Sequence, residues 1–253
     1  MKFLNGLAAA LVVLVSTSEG KAEEPLMLFN PYVGGGLGVH QNTYNSGGIV
    51  DFIVGAGSFP FQNSGRERDE DWIGNLTIGM EDFITVGPVA IRPEIELWRM
   101  PEETIRTGGF PGPPTPAFFY DVRIDQTFGM MFNLWGDIRP FDDYPLILSG
   151  GAGVGITNLR MSVSDNQGDA FIGTLNQSKV TYQIGAQIGY EINDFVTAGV
   201  SARYVDVGNL GITLVRESNN QPQGTYKLDW DSRQLMGFVR IDLNALDEAV
   251  SGN

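Results

Sequence analysis

The sequence predicts an all-β fold, an eight-stranded, antiparallel, up-and-down transmembrane β-barrel. Three observations carry the prediction. The clearest is strict period-2 alternation over long stretches, which belongs to strands and not to helices. Val180, Tyr182, Ile184, Ala186, Ile188, Tyr190 and Ile192 alternate with Thr181, Gln183, Gly185, Gln187, Gly189 and Glu191. After the tight-turn pair Asn193-Asp194, Val196, Ala198, Val200, Ala202 and Tyr204 alternate with Thr197, Gly199, Ser201 and Arg203. Each arm runs to about a dozen residues, against about 5–6 for an ordinary strand, and a tilted bilayer-crossing strand needs that length. The second observation is that long and short connections alternate along the chain. The third is that no stretch beyond the N-terminus could cross a bilayer as a helix, so insertion must come from strands.

The chain begins with Lys2, an apolar run from Phe3 to Val15, and then small and polar residues. This is the pattern of a secretory signal peptide, residues 1–22, with cleavage after Ala22 and an alternative cut after Ser18. The run is well short of the about 18–20 apolar residues of a membrane anchor. The barrel is expected over residues 23–243 and a short periplasmic tail over 244–253.

The first strand is Tyr32 to His40, with Val33, Leu37 and Val39 opposite the glycines and His40. Residues 41–71 read as a polar loop. The second strand starts at Trp72 and sets Leu76, Ile78 and Met80 opposite Asn75, Thr77 and Glu81. A turn at Thr85 to Pro88 leads to the third, where Val89, Ile91, Ile95 and Leu97 oppose Arg92, Glu94, Glu96 and Trp98. Pro93 is a local fault there, since it donates no ladder bond. Residues 99–117 read as loop. The fourth strand, Phe118 to Trp135, sets Tyr120, Val122, Ile124, Phe128, Met130, Phe132 and Leu134 against Asp121, Arg123, Asp125, Thr127, Gly129, Met131 and Asn133. Gln126 is its polar interruption. After a short turn the fifth strand sets Leu146, Leu148, Ala152, Val154 and Ile156 opposite Ser149, Gly151, Gly153 and Gly155. Residues 157–177 read as loop, the hairpin above supplies strands six and seven, and 208–224 read as a fourth long loop. The last strand sets Leu235, Val239, Ile241 and Leu243 against Gln234, Met236, Phe238 and Arg240. Short turns on one side and long loops on the other are the asymmetry of outer-membrane barrels, and an even strand number puts both ends in the periplasm.

The apolar face is assigned to lipid because it is nearly free of charge, and a lipid-facing Lys or Arg at mid-depth costs about 2–4 kcal/mol. The other face is assigned to the lumen, with a charge network of Arg92, Glu94, Glu96, Asp121, Arg123, Asp125, Glu191, Arg203 and Arg240. Aromatics are expected as two interfacial belts: Phe83, Trp135, Tyr144, Tyr190 and Phe195 near the short turns, and Trp72, Trp98, Phe119, Tyr120, Tyr204 and Trp230 near the long loops. A soluble ligand-binding barrel, apolar inside and polar outside, is the alternative.

YVGGGLGVH at 32–40, GGAGVGI at 150–156 and IGAQIGYEINDF at 184–195 resemble the OmpA-like family of eight-stranded outer-membrane barrels and surface antigens. The resemblance covers essentially the whole mature chain and implies an outer-membrane location. This chain departs from the family in continuing past Leu243 instead of ending on an aromatic, and no periplasmic peptidoglycan-binding domain, hence no cell-wall tether, is expected.

A net charge of −14 argues against nucleic acid as a partner. With no cysteine, disulfides and thiolate metal sites are excluded. His40 is the sole histidine, and no serine can be paired with it from sequence, so no catalytic site is expected. Gly34 to Gly38 is not a phosphate loop, because no Gly-Lys-Ser/Thr follows. Asp165 to Asp169 lacks the spacing of an EF-hand. No cofactor or metal is expected. The favoured function is a small, monomeric outer-membrane barrel with a structural or surface-interaction role through four long loops, its lumen filled by paired charges. Its expected partners are outer-membrane lipid and a surface partner met through the long loops. A narrow low-conductance channel and a lipid-modifying enzyme are the alternatives.

Overall fold

A computed structural model describes residues 30–50, 59–62, 67–109, 118–125, 127–141, 143–165 and 171–251. The expected signal peptide and residues 166–169 lie outside them. The strands are β1 (Asn30–Val50), β2 (Phe59–Gln62), β3 (Glu67–Glu81), β4 (Ile84–Val86), β5 (Val89–Met100), β6 (Glu103–Gly109), β7 (Phe118–Ile124), β8 (Thr127–Ile138), β9 (Leu146–Asp165), β10 (Phe171–Asn193), β11 (Val196–Arg216) and β12 (Pro222–Asp242). A helix, α1 (Leu243–Ser251), follows, capped by Asp242 Oδ1, which accepts the Ala245 amide at 2.9 Å. None of the described helices is long and apolar enough to cross a membrane.

The ring runs β1-β3-β5-β8-β9-β10-β11-β12, every neighbour antiparallel. β1 against β12 closes it, from Tyr32 opposite Asp242 to Val50 opposite Gly224. The hairpin of β6 and β7 extends the wall above β8, with β7 pairing β9. The β3–β5 ladder ends at Gly79 opposite Glu94, so Pro93 falls one residue beyond it and still faces Leu134 of β8.

The expected long loops are corrected. Much of 41–71, 99–117, 157–177 and 208–224 is strand. The strands continue past the membrane level because the alternation continues there with its polarity exchanged. Outward positions of β9 are Leu148, Ala152, Val154 and Ile156, and then Asn158, Arg160, Ser162 and Ser164. Its inward positions are Ser149, Gly151, Gly153, Gly155 and Thr157, and then Leu159, Met161 and Val163. β12 repeats the exchange: outward, Ile241, Val239 and Leu235 give way to Arg233, Asp231, Asp229 and Lys227; inward, Arg240, Gln234 and Ser232 give way to Trp230, Leu228 and Tyr226. The barrel is thus two storeys. The lower has an apolar outside and a polar inside, as lipid requires. The upper has the reverse alternation, as water requires, around an apolar core that includes Tyr44, Tyr120, Val122, Met161, Ile212, Leu214 and Leu228. In that core the rings of Tyr44 and Trp230 lie 5.7 Å apart, and those of Tyr120 and Tyr226 5.6 Å.

Two bulges reset parity between the storeys. Ile124 faces Met161 and Phe128 faces Asn158, so the chain has one more residue between these two pairs on this side than on β9. On β11, Asp206 faces Asp231 and Gly208 faces Trp230, with Gly208 at φ +79°, where a side chain would be strained. The β10–β11 ladder is interrupted at this level, between Ile172–Val215 and Tyr182–Asp206. The first bulge corrects the expected single strand of constant parity from Phe118 to Trp135. Tyr120, Val122 and Ile124 point inward, and Asp121, Arg123 and Asp125 do not enter the lumen. The aromatic belts are corrected too: Trp98, Tyr120, Trp135 and Trp230 are buried inside, while Trp72, Tyr144, Tyr182 and Tyr190 face out.

Candidate functional site

The lower lumen is built around Arg92. Alternation on β5 turns Arg92, Glu94, Glu96 and Trp98 inward together. Arg92 Nε and Nη2 donate to the Asp137 carboxylate at 2.7 and 3.2 Å. Its Nη1 reaches the Tyr32 hydroxyl at 3.0 Å and Glu94 Oε2 at 3.1 Å, and Nη2 also donates to Gln187 Oε1 at 3.0 Å. The Tyr32 hydroxyl donates to Glu94 Oε2 at 2.6 Å. The guanidinium carbon lies 5.7 Å from the Tyr32 ring centre and 5.6 Å from that of Trp135, within cation–π range.

Glu96 is the second centre. Arg203 Nη1 donates to its two oxygens at 2.5 and 2.6 Å, Asn75 at 2.7 Å and Asn133 at 3.0 Å. Asn133 also donates to Glu94 at 3.0 Å and accepts from Gln183, which joins the two centres. Arg203 Nη2 donates to Gln234 at 2.8 Å. Below, Arg240 Nη1 stands 3.5 Å from Glu81 and 4.0 Å from Asp137. Removing a charge from water is unfavourable by several kcal/mol unless it is paired and hydrogen-bonded, and here each buried carboxylate of the two centres has a guanidinium partner.

Inward glycines make room for the bulk. A Cβ at Gly151 would stand 2.4 Å from the Trp135 ring, and one at Gly129 would stand 2.1 Å from Trp98. The space left among Glu94, Gln187, Ser201, Arg203 and Arg240 is about 20 Å³, little more than one water-sized sphere.

At the junction between storeys sits the sole histidine. His40 Nε2 lies 3.5 Å from Glu103 Oε1. Asn42 Nδ2 donates to Glu103 Oε1 at 2.6 Å, and the Tyr44 hydroxyl donates to Glu103 Oε2. The His40 side chain is fully buried. Among the described residues no group of His, Asp and Glu side chains gathers to hold a metal.

Of the expected network, the structure brings Arg92, Glu94, Glu96, Arg203 and Arg240 into the lumen. Glu191 is at the lower rim, half-buried, 2.9 Å from Arg139, which also reaches Asp82 at 3.4 Å. Asp121, Arg123 and Asp125 lie on the outer surface of the upper storey, where Asp121 pairs with Arg106 at 2.7 Å and Arg123 with Glu102 at 2.8 Å. Asp137, Tyr32, Asn133 and Glu103 are members that sequence reasoning missed. Asn133 was on the polar face already, but Asp137 fell in a supposed turn and Glu103 in a supposed loop.

An apolar outer band, a charge-filled inside and a closed eight-stranded ring together decide the class. The chain is an outer-membrane β-barrel. No family model and no curated protein matches its sequence. Solved structures similar to it include the outer membrane protein OprG of Pseudomonas aeruginosa, at 14% identity and a TM-score of 0.52, over 84% of this chain and 96% of that one. Neisserial surface protein A matches at 13% identity and a TM-score of 0.39, over 84% and 97%. The attachment invasion locus protein Ail of Yersinia pestis matches at 13% and 0.36, over 84% and 99%. At such identities the likeness is one of fold alone.

Proposed function

We propose that this barrel, of the OmpA-like kind, has a structural and surface-interaction role and is not a conduit. The observation that carries the reading is a double filling. Paired charges occupy the lower lumen and an apolar core occupies the upper one. A polar solute that passed the first would meet the second. The buried His40, enclosed by Glu103, Asn42 and Tyr44, supports a non-enzymatic role. The upper storey lifts the strand ends clear of the membrane, and these are the surface a partner would meet; the barrel acts as a monomer.

The test combines conductance and access. Purified protein that shifts in gel mobility on boiling is expected to be silent in a planar bilayer. Arg92→Ala should stay silent, because the apolar core above is untouched. A tag inserted in the turn at 217–219 should be labelled on intact cells. Steady conductance that changes in Arg92→Ala would establish the channel instead.

A further inference from the structure

The lipid-facing wall is not uniform. Gly35 of β1, Gly74 of β3 and Gly237 of β12 hold outward positions, and where they lie the wall sinks into a trough of about 1110 Å³. Leu37, Leu76 and Leu97 stand along it, with Trp72 at the level where the outer surface turns polar. From β12 to β5 there are three interstrand steps, which make a width of roughly 14 Å and leave room for apolar chains side by side.

Arg99 closes the upper end. It follows Leu97 on the outer face of β5, exposed, in register with Gly74 on one side and Phe128 on the other. Among the described residues its guanidinium has no carboxylate partner. A bare guanidinium over an apolar trough, at headgroup level, complements an anionic headgroup carried on several acyl chains. Arginine matches phosphate with paired donors.

We propose that the trough and Arg99 dock the phosphorylated, multiply acylated glycolipid of the outer leaflet, lipid A, with acyl chains along Gly74 and Gly237 and a phosphate on Arg99. The proposal uses the membrane face of the barrel and is independent of what the upper storey binds.

The experiment is native mass spectrometry of the full-length protein in detergent, titrated with bisphosphorylated lipid A, dephosphorylated lipid A or phosphatidylglycerol. Wild type is expected to retain bisphosphorylated lipid A at least tenfold better than the other two. Arg99→Gln should lose that tenfold advantage. Gly237→Leu should lose it by filling the trough; a Cβ there has nothing nearer than 3.9 Å, so the wall accepts it. Heat-dependent gel mobility confirms folding of both variants. Equal retention by wild type and Arg99→Gln overturns the proposal. So does equal retention of phosphatidylglycerol, which would mean any anionic lipid, or a dimer that Gly237→Leu dissociates, which would make the trough a contact between copies.

Discussion

The lower and upper halves of β9 keep one parity and exchange one chemistry. Below, Val154 and Ile156 face out and Gly153 and Thr157 face in; above, Arg160 and Ser162 face out and Met161 and Val163 face in. The strand and its register against β10 are continuous through the change, so the strand itself does not decide which face is apolar. The surroundings do. In lipid the outside must be apolar and polar groups must be satisfied within. In water the inside must be apolar, as in any soluble barrel. The soluble-barrel alternative therefore describes the upper storey and fails for the lower.

The contrast is broken hardest by single deletions inside each storey. Arg203→Ala leaves Glu96 buried without its guanidinium and should destabilise by about 3–5 kcal/mol. The fall in the temperature of the gel-mobility shift would measure it. Leu228→Ala, fully buried in the upper core, should cost about 2–5 kcal/mol by cavity formation. It should open the upper storey to protease while the lower storey keeps its heat-dependent shift. If both variants lose both signals together, the storeys fold as one unit.

The outer face of β10 gives a sharper comparison. Ile184→Arg puts a cation in the lipid band and should cost about 2–4 kcal/mol, blocking insertion. Ser178→Arg points the same way from the same strand but above the band, and should change stability by about 0.5 kcal/mol or less. Equal loss of assembled protein in the membrane fraction would move the membrane boundary upward.

The sequence made the lower storey legible because two constraints agree there: period-2 alternation and an apolar set long enough to cross a bilayer. The upper storey carries the same period. Asn158-Leu159-Arg160-Met161-Ser162-Val163-Ser164 alternates as strictly as the hairpin. It reads as loop only when the apolar set is required to stay on one face. The bulges were harder to see. Gln126 registers as a polar interruption, yet the one extra residue between Ile124 and Phe128 turns Asp121 and Arg123 from lumen to surface. Glu103 could have been found from Glu103-x-Ile105 alternating with Thr104 and Arg106. Its partners His40 and Asn42 come from a strand some sixty residues away, and no local pattern joins them.

The smallest effects test how water treats the upper face. Arg106 holds the Asp121 carboxyl below its ordinary range, first by hydrogen bonding and then by charge. The stabilisation this pair gives is present above the unfolded-state pKa of about 3.9 and lost as pH falls through the lower folded value. Asp229 behaves in the opposite sense: partial burial, then the charges of Asp206 and Asp231, push its carboxyl up. Its ionised form is disfavoured in the fold, so the upper storey gains stability as pH falls through the raised value. Acidification should therefore first slow protease cleavage in the β11–β12 hairpin and, at lower pH, speed cleavage in β6–β7. Asp229→Asn should relieve the repulsion from Asp206 and Asp231 at neutral pH and abolish the first phase alone. A cleavage profile unchanged by Asp229→Asn would mean that water and salt already screen these carboxylates from one another.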